Sequence, residues 1–170
     1  MHVLVAFLAA DSELLESHWL NNAAAWLSFS ENPMIHSEIL FVDHTTAKDV
    51  IGRACSIHYG GEVFLQNKKF SRSQWRFRTV NCTDEQAQKA LAFCQAKVGQ
   101  KFNKLGYFLQ PICSPKRMSQ DTWFCSEIVA GALQEAGVDV EPSLHPHKLY
   151  ESIKDITTPD CPRVIKDMHF

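Results

Sequence analysis

Three side chains stand out for their chemistry, Cys125, His36 and Glu38. Cys125 opens the run Asp121 to Gly137, which reads as a helix: Asp121 or Thr122 can cap its start, and Gly137 suits a left-handed C-terminal cap. The sulfur shares a stripe with Ile128, Val129, Ala132, Leu133 and Ala136. A cysteine on an apolar stripe is usually a small core residue. Here, however, the first turn sets unpaired N–H groups and the positive end of the helix dipole beside the thiol, which favours the nucleophilic thiolate. A nucleophilic cysteine needs a base, commonly histidine, and a group that orients the base. Among the eight histidines, His36 lies inside an expected strand with Glu38 two residues on, so both project from one face. The bland reading of His-x-Glu is an ion pair on a solvated face. Beside a first-turn cysteine, the pair becomes a candidate Cys-His-carboxylate triad.

The elements that must position these groups can be read from periodicity. Met1 to Ala10 reads as a first core strand; the run has no lysine or arginine ahead of it, and Asp11, Glu13 and Glu16 follow at once, which argues against a signal peptide. Asp11 to Ser28 suggests an amphipathic helix through Leu14, Leu15, His18, Trp19, Ala23 and Trp26. Met34 to Val42 is a strand, with His36, Glu38 and Leu40 on one face. Val50 to Ile57 and Glu62 to Leu65 form two more around the Tyr59-Gly60-Gly61 turn, and Trp75 to Val80 alternates as a half-exposed strand should. Together these strands predict a meander. Thr83 and Gln86 form a capping-box pattern that opens a helix closed by Gly99, with Cys94 on its buried stripe. Lys101 to Met118 is irregular and leads into the cysteine helix, where it can form a pocket wall, and Leu149 to Ile153 allows a short helix.

Composition narrows the function classes. With 170 residues, 45% hydrophobic and 21% charged, the chain suits one α+β domain over residues 1–170. A net charge of −2 without a basic stripe argues against nucleic acid as a partner. No apolar run reaches the roughly 18 residues a membrane-spanning helix needs, so no stable membrane anchor is expected. The six cysteines form no Cys-x-x-Cys pair, in a chain too large to need disulfide staples, which points to a reducing, cytoplasmic setting. His145-x-His147 could contribute to a zinc site, but prolines bracket it and no second ligand pair has zinc spacing, so no metal and no cofactor are expected.

The segment WFCSEIVAGALQEAG, with HSEILF upstream and VGQKFNKLGYF between, resembles the circularly permuted branch of the NlpC-like papain-fold superfamily, in which the histidine strand precedes the cysteine helix. The resemblance spans roughly residues 33–153, ending on Pro146-His147-Lys148-Leu149-Tyr150, with residues 1–28 as an extension. It implies an antiparallel sheet packed against helices, Cys125 as nucleophile, His36 as base and a polar third residue. Glu38 matches that third place, while His58 or Glu62 from a neighbouring strand are alternatives. Tyr107, Phe102 and Trp123 are expected to line the pocket. The implied reaction is cleavage of a peptide or aminoacyl amide through an acyl-enzyme. A lipid-directed thiol acyltransferase or phospholipase, or a non-catalytic binding module, are the competing readings. The substrate classes are accordingly a small peptide, an amino acid conjugate or an acyl lipid.

Overall fold

A computed structural model of the chain describes residues 1–9, 33–104, 122–141 and 145–160. Within them lie strands β1 (His2–Ala9), β2 (Met34–Thr45), β3 (Asp49–Ile57), β4 (Val63–Ser71), β5 (Trp75–Val80), β6 (Lys101–Phe102), β7 (Thr122–Trp123) and β8 (Thr158–Pro159). The helices are α1 (Asp84–Lys97), α2 (Cys125–Glu135) and α3 (Pro146–Ile153). The architecture is α+β. One antiparallel sheet runs in the order β4-β3-β2-β1-β5-β8, and β6 pairs with β7 in a separate parallel bridge. The helix expected over Asp11 to Ser28 and most of the irregular stretch before the cysteine helix lie outside the described residues.

The expected meander holds for β1 to β4 and fails at β5. β5 does not pair with β4; it pairs with β1, which is inserted between β2 and β5. The reason is visible in β1 itself: Val3, Leu4, Val5, Ala6 and Phe7 have no exposed surface, and a strand apolar on both faces belongs in the middle of a sheet covered on both sides. β4 is also longer than its apolar part suggests, because the polar run Gln66 to Lys69 continues the ladder with β3 as far as Ser71.

Alternation divides the sheet into two faces. Val3, Val5, Phe7, Ile39, Phe41 and Ile57 pack with the buried stripes of α1, α2 and α3 in the main core. The opposite face holds Leu4, Ala6, Leu40, Val50, Ala54, Phe70 and Phe77. On that second face the sheet curls. Phe70 of β4 meets Trp75 and Phe77 of β5 edge to face, with centroids 4.9 and 6.3 Å apart, although three strands separate β4 from β5 in the sheet order. Gly52 lies within this curvature. A Cβ there would sit 2.3 Å from the Phe41 carbonyl oxygen and 2.9 Å from the Val42 Cα, beside the register shift between Val42 and His44. Only glycine lets the two backbones approach so closely.

The helix termini follow local chemistry. Thr83 caps α1 through a reciprocal box: the Gln86 N–H donates to Thr83 Oγ1 at 3.2 Å and the Thr83 N–H donates to Gln86 Oε1 at 2.8 Å. α2 ends at Gly137, whose φ of 79° is the left-handed conformation expected of it. Its start differs from expectation. Thr122 belongs to β7, α2 begins at Cys125, and the Phe124 N–H is satisfied from within the helix by Glu127 Oε2 at 2.9 Å.

Gly52→Ala should lower unfolding free energy by about 2–3 kcal/mol, because the added methyl meets backbone rather than a movable side chain. Gly61→Ala is the control, since its Cβ would meet only the His58 carbonyl at 3.4 Å. Urea denaturation of both variants checks this; equal, near-wild-type stabilities would contradict the tight β2–β3 approach.

Candidate active site

β2 carries the imidazole and the carboxylate. In register with β1, His36 lies opposite Leu8, Glu38 opposite Ala6 and Leu40 opposite Leu4, so all three project to the concave second face. Nε2–H of His36 donates to Glu38 Oε1 at 3.3 Å. Glu38 is completely buried, whereas the His36 side chain keeps 16% of its surface exposed. The expected pairing of the two on one face is therefore present, but on a closed rather than a solvated face.

Cys125 approaches from the other side. It is the first residue of α2 and packs against the helix-side core, yet its sulfur lies close enough to the His36 ring for the two to interact. The sheet permits this because the β2–β3 ladder ends at the Ile39–Cys55 pair. Beyond that pair the β3 backbone no longer pairs with Ser37. Its carbonyl instead accepts from Ser56 Oγ at 2.7 Å, and its N–H faces the Cys125 sulfur. With Nε2 committed to Glu38, Nδ1 of His36 is the ring nitrogen left to exchange a proton with the sulfur.

Electrostatics follow from this geometry. Burial by itself disfavours charge on the imidazole, but the Cys125 sulfur, by charge and by hydrogen bond, and then Glu38 outweigh it, and His36 is pushed up to about 10. Burial likewise opposes a thiolate, yet His36, and after it Ser37, hold the Cys125 thiol below its ordinary range. Burial also opposes ionisation of Glu38, and the neighbouring His36 and Lys68 hold its carboxyl low. At neutral pH His36 is consequently protonated beside an ionised Glu38 carboxylate, an arrangement that favours the thiolate of Cys125.

Two alternatives for the third residue lie differently. His58 stacks on His36, rings 26° apart with centroids at 5.2 Å, an arrangement that sets face against face rather than N–H against nitrogen. Burial, then the neighbouring His36 charge, keeps the His58 pKa down. Glu62 is more than half exposed and pairs with Lys101. Tyr107 lies outside the described residues. Phe102 and Trp123, expected to line a pocket, are packed into the core instead: Phe102 meets Tyr59 and Phe124 edge to face, while Trp123 meets Phe93 and donates its indole N–H to Gln100 Oε1. Their hydrophobic surface serves α1 and the start of α2.

Sequence reasoning missed Ser37 and Lys68, and also Trp75, whose ring centroid lies 6.2 Å from that of His36. Trp75 also lines an open groove of about 270 Å³ with Arg72, Arg76, Phe77, Tyr150 and Asp160. The alternation of β5 placed Trp75 on a face, but its meeting with His36 requires knowing that β1 separates β5 from β2. Among the described residues no group of three or more His, Cys, Asp or Glu side chains could hold a metal ion. His147, from the His-x-His pair, accepts the Met34 N–H through Nδ1 at 3.4 Å.

No family model matches this chain, and no curated protein and no solved structure matches it either.

The thiolate makes a measurable claim. Wild-type Cys125 should react with iodoacetamide at pH 6 about tenfold or more faster than Cys125 in His36→Ala, whose labelling should rise only near the ordinary thiol pKa of about 8.5. Superimposable pH profiles for the two proteins would mean that the imidazole does not sustain the thiolate.

Proposed function

We propose that this protein is a cysteine hydrolase that cleaves a peptide or aminoacyl amide through an acyl-enzyme, on a permuted papain-like arrangement of strand and helix. The observation that carries the reading is the meeting of the Cys125 sulfur, at the start of α2, with His36, whose ring is in turn hydrogen-bonded to the buried Glu38. An inert core thiol has no need of such partners, and a buried imidazole and carboxylate are costly unless they are satisfied.

In this mechanism the proton of the Cys125 thiol already resides on His36. The thiolate attacks the substrate carbonyl carbon, a C–S bond forms, and the carbonyl electron pair moves onto oxygen. The Cys125 N–H, in the first turn of α2 where N–H groups lack intrahelical acceptors, is placed to donate to that oxyanion. Collapse of the tetrahedral species breaks the C–N bond, and the departing amine takes the proton from His36. Neutral His36 then draws a proton from water, whose oxygen attacks the thioester carbonyl; the acid product leaves, and the proton on the imidazole restores the ion pair. Glu38 fixes the ring tautomer throughout. A small peptide or amino acid conjugate suits the chemistry. A thiolate nucleophile also works best where thiols stay reduced, which supports a reducing compartment, and among the described residues no helix is long and apolar enough to cross a membrane.

Two limbs of pH dependence follow. The folded pKa of His36 lies above its ordinary value, so the protonated ring persists at neutral pH and is lost as pH rises through about 10. That of Cys125 lies below its ordinary value, so the thiolate is lost only as pH falls through the depressed value. kcat/KM for an aminoacyl amide should therefore fall on the alkaline side near 10. Cys125→Ala should abolish turnover, His36→Ala should cost about a thousandfold and Glu38→Gln less. Incubation with an activated acyl ester, followed by intact-mass analysis, should show one acyl group on wild type and none on Cys125→Ala. Unmodified wild-type protein, with no amide turnover at any pH, would overturn the reading.

A further inference from the structure

Lys68 of β4 reaches across β3 into the concave face and places Nζ 2.6 Å from Glu38 Oε1, the oxygen that also accepts from His36. Its ammonium lies over three aromatic rings, 5.1 Å from the centroids of Phe64 and Phe70 and 5.9 Å from that of Trp75. These rings come from β4 and β5, so the cage exists only because the sheet curls β4 towards β5. A lysine side chain on an exposed strand normally extends into water. This one is three-quarters buried and held from several directions.

We infer that Lys68 is a positioning residue of the hydrolase site, the counter-cation that keeps Glu38 ionised so that the carboxylate can hold His36 as an imidazolium against the Cys125 thiolate. The inference rests on the hydrolase reading for its purpose, though not for its geometry.

The argument is one of charge balance in a buried place. Along the row Lys68, Glu38, His36 and Cys125 the charges alternate plus, minus, plus, minus, and the row is neutral. Remove Lys68 and the remaining three carry a net negative charge with little water to screen it, a state relieved by a proton on Glu38 or on the sulfur. Either site of protonation weakens the ion pair. The other groups that face Glu38 do not replace the lost cation. β1 offers only Ala6 and Leu8, β5 offers Trp75 and Phe77, and the residue just past β3 is His58, which burial and its cationic neighbours keep neutral. Glu38 Oε2 is buried with no hydrogen-bond partner among the described residues, so no second donor stabilises the carboxylate from its other oxygen.

The test uses full-length protein and two readouts: the titration of the Glu38 carboxyl carbon by NMR, and the pH profile of Cys125 alkylation by iodoacetamide. Lys68→Met should raise the Glu38 titration by at least one pH unit and move the acid limb of alkylation upward, with about a tenfold loss of rate at pH 6. Lys68→Arg should stay within about threefold of wild type. In Glu38→Gln with Lys68→Met both charges are gone, and the acid limb should return towards wild type although a hydrogen bond is lost. Circular dichroism and thermal melts identify variants that fail to fold, in which case Lys68→Gln takes the place of Lys68→Met. An unmoved Glu38 titration in Lys68→Met overturns the inference, and so does a moved titration with an unchanged alkylation profile. An ordinary thiol profile in the wild type would instead sink the hydrolase reading, and the Glu38 titration alone would still decide whether Lys68 holds the carboxylate ionised.

Discussion

A carboxylate sealed inside a β-sheet protein imposes the constraint on which the rest depends. Glu38 has no exposed surface, and an isolated buried carboxylate would simply take up a proton. It stays charged because one of its oxygens is shared by two cations, the Lys68 ammonium and the His36 ring. Those two come from different strands. They can meet only if the sheet closes around the carboxylate, which links the shape of the fold to the charge state of one side chain. The curl that brings Phe70 of β4 against Trp75 and Phe77 of β5 is the same curl that builds the cage over Lys68.

The sheet must then let charge pass from one face to the other. His36 and Glu38 belong to the concave face, whereas Cys125 belongs to a helix on the convex face. A fully paired sheet would separate them with a continuous layer of backbone. The early end of the β2–β3 ladder removes that barrier at Ser37, and the freed Ser37 N–H is turned to use as a donor towards the sulfur. Phe124 fixes the other side of the contact. It is buried against Phe102, and its N–H is held by Glu127, so the first residue of α2 is delivered to one place rather than frayed.

How much of this was legible follows from what each signal depends on. The cysteine helix, the His36 strand, the Thr83 box and the Gly137 cap are local patterns, and local patterns survive in the sequence. The meander failed at β5 because strand order is a long-range property; only the two-sided burial of Val3 to Phe7 hinted that β1 would be central. Lys68 was invisible for a related reason. It sits in Gln66-Asn67-Lys68-Lys69, which reads as solvated surface, and its burial is created by rings that adjoin it only after closure. Phe102 and Trp123 were misplaced in the opposite sense: aromatics close in sequence to a nucleophile look like pocket walls, but β6 and β7 turn them into the support beneath α2.

The energetics also weigh between a working site and a mere packing motif. Replacing a buried network of charges by apolar side chains of similar volume is often neutral or stabilising, so stability alone is a poor reason for a fold to enclose four ionisable groups in a row. The apolar alternative was near at hand, since Leu4, Ala6, Leu40 and Ala54 already line the same concave face. The row ends, moreover, on a cysteine placed at a helix start, where the dipole favours negative charge, rather than on Cys94, which is buried in the middle of α1 with its thiol raised well above the ordinary value by the neighbouring Cys55 thiol and by burial. Two cysteines on two helices thus differ in the direction of their shift because one faces an imidazole and the other faces a thiol. The contrast supports reading Cys125 as a nucleophile and Cys94 as core.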